Sequence, residues 1–312
     1  MKTYLGFDFG GTKLLIGEMD QNGRIFSSKR YETGCVIQQQ AVERLLTCAA
    51  DYRDTVGFQG EVQAAGVGIV GVSNHKTGEW ISMNHIVSGP PIPLANMLSG
   101  ELGVPVVIDN DVRSATTAEW RLGHGRNSEN FIYINVGTGL AAGFVVNGVL
   151  LRGANNNSGE VGHSVVDIRS ELPCICGRTG CVENEVSGSG FARQAVKYGL
   201  TEIIKADRPN SADTPRLFEL ADAGDQRAVC ITEQAADTLA ALIMNLVRVT
   251  DPDTVILGGG VASGGWLLEK VKPRLNPSTM RGVTQGVVLS QFDPEYAGLI
   301  GAASLGLVFC GK

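Results

Sequence analysis

The sequence predicts a duplicated α/β protein in which each half opens with an antiparallel hairpin meander. The first half begins with the β-rich segment TYLGFDF, breaks at GGTK, resumes at LLIGEMD and turns at Asn22-Gly23. The same plan returns at NFIYINV, which breaks at GTG and turns at Asn147-Gly148. Asn-Gly between apolar strands is a strong hairpin signal. The Asn-Gly turns are 125 positions apart and the glycine turns at Gly11 and Gly137 are 126 apart, so an internal repeat is indicated.

The remaining elements alternate between helix and strand. Apolar periodicity predicts helices over 40–54, 113–123 and 226–249, strands over 62–72 and 104–111, and a strand followed by a glycine turn over 253–262. A further helix is expected to start near Ser263, and 201–216 is the most loop-like segment. We expect an N-terminal α/β domain over 1–112, completed by a C-terminal helix at about 297–312, and a C-terminal α/β domain over 113–296.

Composition excludes several classes of protein. The 312 residues are 43% apolar and 19% charged, as in ordinary globular proteins, and the net charge of −6 argues against a broad nucleic-acid-binding face. The longest apolar run, LAALIMNLV, is too short to span a bilayer. Asp8 interrupts the first apolar segment, which argues against a signal peptide, and the odd number of cysteines, seven, argues against a secreted disulfide scaffold. A cytoplasmic protein is expected.

The two glycine turns are candidate phosphate sites, because backbone N–H groups at a tight bend can bind phosphate oxygens. Asp8 stands beside the first turn, and Thr12 and Thr138 lie in the turns. Ordinary hairpin turns remain the alternative. The run Gly258–Gly260, between a strand and a helix, is a weaker candidate.

Acidic residues end the strand VPVVIDND. Ligands of α/β sheets bind beyond the carboxyl ends of strands, and a carboxylate there can take a proton from a substrate hydroxyl. Asp109, Asn110 and Asp111 are equally suited to capping the following helix. Both roles stay open for this segment, and one residue can cap while its neighbour acts as a base.

The segment GEVGHSVVDIRSELPCICGRTGCVE predicts a structural zinc site. His163, Cys174, Cys176 and Cys181 supply one imidazole and three thiolates, which fill a tetrahedral shell. A redox Cys-x-Cys pair or unrelated cysteines are the alternatives. A clamp that fixes His163 would also fix Glu160 and Glu183, whose carboxylates suit hydrogen bonds to vicinal sugar hydroxyls; solvated surface positions are the alternative for both.

Together these segments resemble the repressor/open-reading-frame/kinase (ROK) family of bacterial sugar kinases and regulators. DFGGTK (8–13) and NVGTGLAAG (135–143) resemble its two phosphate motifs, and LGGGV (257–261) its adenosine-side motif. DNDVRSATTAE (109–119) is similar to the segment with the catalytic aspartate. SGEVGH (158–163) with CICGRTGCVE (174–183) resembles the family signature and its zinc site.

The resemblance implies an actin/hexokinase-like (ribonuclease H-like) α/β fold of duplicated domains with an interdomain cleft. It implies ATP-dependent phosphorylation of a hexose or N-acetylhexosamine, usually at the 6-hydroxyl, with Mg²⁺, a structural Zn²⁺ and a homodimeric assembly. Asp111 takes the position of the general base. The sugar ligands implied are Asn84, Asn110, Glu160, His163 and Glu183. The nucleotide-binding residues implied are Asp8, Gly10, Gly11, Thr12, Lys13, Gly137, Thr138, Gly139, Gly258, Gly259 and Gly260.

Two positions depart from the family pattern. Arg113 stands where the family usually has asparagine, and it is expected either to reach toward a phosphate or acidic substituent or to face solvent. Met83 replaces the usual proline before Asn84. Because the phosphate motif begins at residue 8, no room is expected for the helix-turn-helix of the regulators. A non-catalytic sugar sensor and a different actin-like ATPase remain alternatives to a kinase, and the sugar itself is not determined.

Overall fold

The computed structural model describes residues 1–11, 13–34, 37–83, 89–205 and 208–311, without the side chains of 208–210. The strands of the described residues are β1 Lys2–Phe9, β2 Lys13–Asp20, β3 Ile25–Glu32, β4 Glu61–Ile69, β5 Val72–Asn74, β6 Glu79–Ser82, β7 Val106–Asn110, β8 Phe131–Val136, β9 Leu140–Val146, β10 Val149–Leu150, β11 Ile204–Lys205, β12 Arg208–Ala212, β13 Thr254–Gly258 and β14 Gly286–Leu289. The α-helices are α1 Gln38–Thr55, α2 Leu94–Leu102, α3 Asp111–Leu122, α4 Val182–Glu185, α5 Gly188–Tyr198, α6 Thr214–Asp222, α7 Gln226–Thr250, α8 Trp266–Val271, α9 Pro277–Met280 and α10 Ala297–Cys310.

The chain forms two compact units. The first unit contains Met1–Asn127, Arg152–Asn157 and Phe292–Lys312, and the second contains Ser128–Leu151 and Ser158–Gln291. The predicted boundary between residues 112 and 113 falls inside α3, which belongs entirely to the first unit. The assignment of domains as independent folding units stays a prediction.

Each unit is built on a five-stranded mixed sheet with the same plan. The first sheet has the order β3-β2-β1-β4-β7 and the second β10-β9-β8-β13-β14. In both sheets, the three strands that come first in the unit form an antiparallel meander, and the other two continue the sheet in parallel. The duplicated α/β architecture predicted from the paired hairpins is therefore confirmed.

The two Asn-Gly hairpins differ in their turns. Asn147 and Gly148 both have positive φ, 50° and 69°, as a two-residue type I′ turn requires. In the first hairpin Gly23 has a φ of 85°, and the carboxylate of Asp20 accepts hydrogen bonds from the N–H groups of Asn22 and Arg24. The first connection is therefore a longer turn with glycine in the left-handed region.

The sheet of the first unit is covered on both faces. Strand β1 alternates, so that Leu5 and Phe7 pack in a core with residues of α1 and α2. Gly6 and Gly66 lie against α10, where an added Cβ would come within 2.4 Å of the Leu299 carbonyl oxygen and 1.9 Å of the Ala302 carbonyl oxygen. Glycine at these positions lets the C-terminal helix approach the sheet closely.

The core of the second unit lies between its sheet and the long helix α7. Buried residues of β8 and β13, such as Ile134 and Leu257, pack in one cluster with Leu239 and Ile243 of α7. Asp225 caps α7 by accepting hydrogen bonds from the N–H groups of Arg227 and Ala228. None of the helices among the described residues combines the length with the hydropathy that a membrane-spanning segment needs.

Two predicted segments differ from the structure. The segment 201–216, expected to be a loop, contains the β11–β12 hairpin and the start of α6. Asp213 caps α6 and Pro215 lies in its first turn, a helix-start signal that the loop-like composition obscured. The helix expected near Ser263 begins at Trp266, because Gly264 and Gly265 both adopt positive φ.

Candidate functional site

Four side chains of the second unit converge as a metal site requires. The ligand atoms of His163, Cys174, Cys176 and Cys181 all lie within 4.8 Å of one another. Cys174 Sγ is 3.4 Å from His163 Nδ1, and the sulfurs of Cys176 and Cys181 are 3.5 Å apart. Tetrahedral Zn²⁺ with bonds of about 2.3 Å to sulfur sets ligand atoms about 3.8 Å apart, so this cluster fits zinc.

Tight turns bring the sulfurs together. The carbonyl of Cys174 accepts a hydrogen bond from Gly177 N–H, and the carbonyl of Arg178 accepts one from Cys174 N–H. Gly177 and Gly180 have φ of 85° and 74°, and a Cβ on Gly180 would lie 2.1 Å from the Asp167 carbonyl oxygen. The guanidinium of Arg178 donates to the His163 carbonyl oxygen, which ties the turn to the histidine.

The thiols differ in their electrostatic surroundings. Hydrogen bonds from the backbone and side chain of Arg178 lower the pKa of Cys176 to about 6. Burial raises the pKa of Cys181 to about 12. The cysteines of the cluster are not joined in disulfides, and a divalent cation bound there would hold all three as thiolates.

Glycines of the GEVGH segment place Glu160 and His163. A Cβ on Gly159 would lie 2.0 Å from the Ala142 carbonyl oxygen, and one on Gly162 would lie 2.1 Å from the Leu140 carbonyl oxygen. The segment is thereby held on β9 and forms a 3-10 turn over Val161–His163. His163 Nδ1 faces the sulfur cluster, while Nε2 lies 4.0 Å from the Glu160 carboxylate. The imidazole ring therefore directs one nitrogen to the cysteine sulfurs and the other to the Glu160 carboxylate.

Glu183 lies beside the second glycine turn. Its Oε2 accepts a hydrogen bond of 3.0 Å from Leu140 N–H, and a Cβ on Gly139 would lie 2.7 Å from the same oxygen. Because Glu183 is on α4, which begins directly after Cys181, the cluster of His163 and the three cysteines also positions this carboxylate. The same cluster therefore positions three predicted sugar ligands, Glu160, His163 and Glu183, and the side chain of each is partly exposed.

The second glycine turn packs against the start of α5. Gly137 N–H donates to the Gly139 carbonyl, and the carbonyls of Gly137 and Thr138 accept from the N–H groups of Gly188 and Ser189. Gly259 lies close by, since its Cβ would be 2.5 Å from the Val136 carbonyl oxygen. A phosphate-binding role would therefore fall to the N–H groups of Thr138 and Gly139 rather than to that of Gly137.

The first glycine turn has a similar arrangement. Gly10 N–H donates to the Lys13 carbonyl within the turn. Of the two glycines of this turn, Gly11 is therefore the one whose N–H could bind a phosphate. Asp8 lies against the N-terminal turn of α10, where a Cβ on Gly298 would be 2.3 Å from its carboxylate. Burial raises the pKa of Asp8, while the charge of Lys13 lowers it. Thr12 and Asn84, both predicted site residues, lie outside the described residues.

The predicted base stands at the start of α3. Asn110 caps this helix: its side chain accepts hydrogen bonds from the N–H groups of Val112 and Arg113, while its amide donates to the Gly71 carbonyl at 3.2 Å. Asp111 is the first helical residue, and its Oδ1 accepts from Val112 N–H at 2.9 Å. The cap is therefore Asn110, not Asp109, because the side chain of Asp109 bonds elsewhere.

A buried ion network behind the base was not foreseen. Asp109, 1% exposed, accepts hydrogen bonds from Arg113 Nε at 2.7 Å and from Arg152 Nε at 2.9 Å. Arg113 is 4% exposed, so the alternative that it faces solvent was wrong, while its reach toward a phosphate or acidic substituent stays a prediction. Asp109 lies in β7 and Arg113 lies in the first turn of α3, so their separation of four positions is not a helical pair, and Arg152 is 43 positions away from Asp109.

Comparisons with known proteins agree with this geometry. The ROK family model matches residues 4–307. Glucokinase of Thermotoga maritima is 30% identical over 96% of each chain, and N-acetyl-D-glucosamine kinase of Yersinia pseudotuberculosis serotype O:3 is 30% identical over 89% of this chain and 90% of its own. A crystal structure of a ROK family glucokinase from Streptomyces griseus, in complex with glucose and AMPPNP, is 28% identical and superimposes with a TM-score of 0.78 over 97% of this chain and 98% of the other.

The structural neighbours have the actin/hexokinase-like fold, and the two sheets of this chain have its duplicated plan. The fold expected from the sequence is therefore confirmed. The family model covers nearly the whole chain, and the relatives align across nearly their full length. This protein belongs to the ROK family.

Proposed function

We propose that this protein is an ATP-dependent sugar kinase that phosphorylates the 6-hydroxyl of a hexose or N-acetylhexosamine. The observation that carries the proposal is the carboxylate of Asp111 at the carboxyl end of β7, in a chain whose relatives over nearly its whole length are sugar kinases. Phosphoryl transfer needs positioning and charge neutralisation more than covalent chemistry, so one base and a set of hydroxyl ligands suffice.

Asp111 accepts the proton of the attacking hydroxyl. The helix cap at Asn110 fixes the backbone before it, and Asn110 itself binds a second hydroxyl of the sugar. Glu160, His163 Nε2 and Glu183 hold further hydroxyls, and Asn84 is proposed as a last sugar contact. ATP is the phosphoryl donor, and Mg²⁺ would neutralise the charge of its phosphates when bound. Asp8 would help to hold Mg²⁺, while the N–H groups of Gly11, Thr12, Thr138 and Gly139, with Lys13 and Gly258–Gly260, bind the nucleotide.

We propose that Zn²⁺ occupies the cluster of His163 and three cysteines in a structural role. Four protein ligands fill its tetrahedral shell, so no position is left for a substrate atom. Its effect is mechanical, since it fixes the histidine ring and the two glutamates that flank the loop. Reduced thiolates and ATP both suit the cytoplasm, where we place the activity. A homodimer is proposed from the family resemblance.

A cavity of the first unit favours an N-acylated hexose as the substrate. The relatives do not decide between a hexose and an N-acetylhexosamine, because a glucokinase and an N-acetylglucosamine kinase are both 30% identical to this chain. The cavity, about 490 Å³, lies between Val72, Ile81 and Ser82 on one side and Ala154–Asn157 on the other. Val72 follows Gly71, whose carbonyl oxygen accepts the amide of Asn110, so the cavity adjoins a proposed sugar ligand.

The chemistry of the cavity suits an acetamido group. Among the described residues its lining consists of apolar side chains, amide side chains and the hydroxyl of Ser82, and contains neither a charged nor an aromatic side chain. A methyl group would contact Val72 and Ile81, and the side chains of Asn155 and Asn157 can donate and accept for an amide. The described residues that line the cavity offer no cation to an acidic substituent, and Arg113 and Arg152 both bind Asp109.

A phosphorylation screen tests the proposal. Purified protein with Mg²⁺·ATP is assayed on glucose, mannose, fructose, allose, N-acetylglucosamine and N-acetylmannosamine. We expect kcat/KM to be at least about tenfold higher for an N-acetyl sugar than for its parent hexose, the difference that a well-fitted small group provides. Absence of turnover on every sugar, with sugar binding intact, would instead indicate a sensor. Nucleotide-dependent polypeptide binding without sugar turnover would indicate a different actin-like ATPase.

Variants separate the substrate from the activity. Asn155→Ala and Asn157→Ala should lower the preference for the N-acetyl sugar while leaving kcat/KM for glucose within about twofold, since the hexose ring does not need them. Asn96→Ala, on the exposed side of α2, is the control and should leave the ratio unchanged. Equal turnover of glucose and N-acetylglucosamine, unaffected by these variants, would remove the N-acyl assignment and leave the kinase intact.

A further inference from the structure

A second cavity lies in the other unit, beside the loop that connects His163 to Cys174. It has a volume of about 260 Å³ and is bounded by Asp167, Ser170 and Glu171 of that loop, by Glu185 of α4 and by Gln194 and Lys197 of α5. Its position does not involve the residues proposed for sugar or nucleotide binding. At about 30 Å³ for each water of the liquid, the cavity has room for a ligand of several non-hydrogen atoms.

Two buried side chains, Glu185 and Gln194, offer acceptors at the floor of this polar cavity, and donor groups of Arg169, Lys197, Tyr198 and Gln234 also line it. Glu185 is 4% exposed, and within the described residues its one hydrogen-bond donor is the Ser170 hydroxyl, at a long 3.3 Å from Oε1. Gln194 is 2% exposed, and its Nε2 donates to the carbonyl oxygens of Asn184 and Glu185. Its Oε1 is therefore left as a second acceptor at the same floor.

A buried carboxylate with one long hydrogen bond is costly unless a cation joins it. Burial raises the pKa of Glu185; the Ser170 hydroxyl and the charges of Lys197 and Arg193 lower it, and the charge of Asp167 raises it further. Arg193 is engaged by the Asn184 side chain at 2.7 Å. The ammonium of Lys197 lies over the Tyr198 ring, 5.4 Å from its centroid, and forms no ion pair with Glu185 in the described structure.

We propose that this polar cavity binds a small organic molecule through a primary ammonium group, with Glu185 as its counterion and Gln194 Oε1 as a second acceptor. An ammonium has three N–H donors, which match two carboxylate oxygens and one amide oxygen. A bare monovalent ion would leave most of the volume to water. Because the loop residues Asp167–Leu172 form one wall, occupancy also braces the segment between His163 and Cys174.

Thermal unfolding of the intact protein, measured with chloride salts, tests the site. Ethanolammonium and methylammonium should raise the melting temperature saturably, by about 2 °C or more, as expected for a ligand of the native state. Tetramethylammonium at the same concentration has the same charge and no N–H donor, and should give no saturable shift. An equal response to the two kinds of salt, or no response, would overturn the proposal.

Two substitutions localise the response. Glu185→Gln keeps the shape of the side chain, removes the charge and should abolish the saturable shift. Glu171→Gln, at the exposed rim, is the matched control and should change the apparent affinity by less than about threefold, since surface charges are well screened. If Glu185→Gln does not fold, the contrast between ethanolammonium and tetramethylammonium in the unaltered protein still decides. A shift that persists in folded Glu185→Gln would contradict the assignment.

Lys197 offers a further decisive variant. If its own ammonium reaches Glu185 in solution, Lys197→Ala would lower the melting temperature and gain a response to ethanolammonium that the unaltered protein lacks. That pattern would mean that the cavity is filled internally and would overturn the proposal. A response present in the unaltered protein and retained in Lys197→Ala is the expected result. All these measurements read binding, so they do not depend on kinase activity.

Discussion

Removal of the Asp109 carboxylate should destabilise the first unit severely. In Asp109→Ala the buried guanidinium of Arg113, 4% exposed, loses its 2.7 Å partner, and Arg152 loses two contacts of 2.9 Å. Breaking a buried ion pair from one side costs about 3–5 kcal/mol, because the remaining charge stays desolvated. At about 2–4 °C per kcal/mol for a unit of roughly 150 residues, the melting temperature should fall by about 6–20 °C.

Differential scanning calorimetry measures this, and a double-mutant cycle tests the cause. The double variant Asp109→Ala, Arg113→Asn removes both buried charges and should recover about 1–3 kcal/mol relative to the sum of the single changes. Glu32→Ala is the control, since its pair with Arg30 is 3.9 Å long and both side chains are more than half exposed. A fall of less than about 2 °C for Asp109→Ala, or strict additivity in the cycle, would refute the reasoning.

Two further predictions concern the metal cluster and the C-terminal helix. Cys176→Ser should lower the zinc content of freshly purified protein from equimolar to near zero and reduce its melting temperature. Cys230→Ser, outside the cluster, is the control and should keep its zinc. Metal analysis that finds no zinc in the unaltered protein would contradict the proposed zinc site. Gly66→Ala should cost about 1–3 kcal/mol or more in urea denaturation, because its Cβ would lie 1.9 Å from the Ala302 carbonyl oxygen of α10. Gly100→Ala, in α2 with nothing within 4 Å, should instead stabilise by about 0.5–1 kcal/mol; equal effects of the two glycine changes would contradict this packing.

Local signals predicted the parts of this structure that depend on a few consecutive residues. Asn147-Gly148 indicated a hairpin because both positions need positive φ, and the spacing of His163 and the three cysteines indicated a cluster because tight glycine turns let sulfurs converge. The duplication of the antiparallel meander followed from finding the same hairpin pattern twice. In each case the determining contacts are close in the chain.

The parts that were missed depend on contacts between distant residues. Arg113 was expected to face solvent or a ligand, and its burial follows from Asp109, which a second arginine at position 152 also binds. Nothing near Asp109 in the sequence indicates Arg152. Similarly, the N–H groups of Gly10 and Gly137 looked open to phosphate, but each is used within its own turn, a detail of hairpin geometry that glycine content does not specify.

The role of Asp111 as the base is the central claim, and the rate of phosphoryl transfer in Asp111→Asn tests it most directly. The change keeps the side-chain size and removes the proton acceptor, so kcat should fall by at least about a hundredfold, within the range that general bases contribute. The dissociation constant of the sugar, measured by calorimetry without nucleotide, should change by less than about threefold, because the other hydroxyl ligands remain. A kcat within a few-fold of the unaltered protein, with normal sugar binding, would contradict the account.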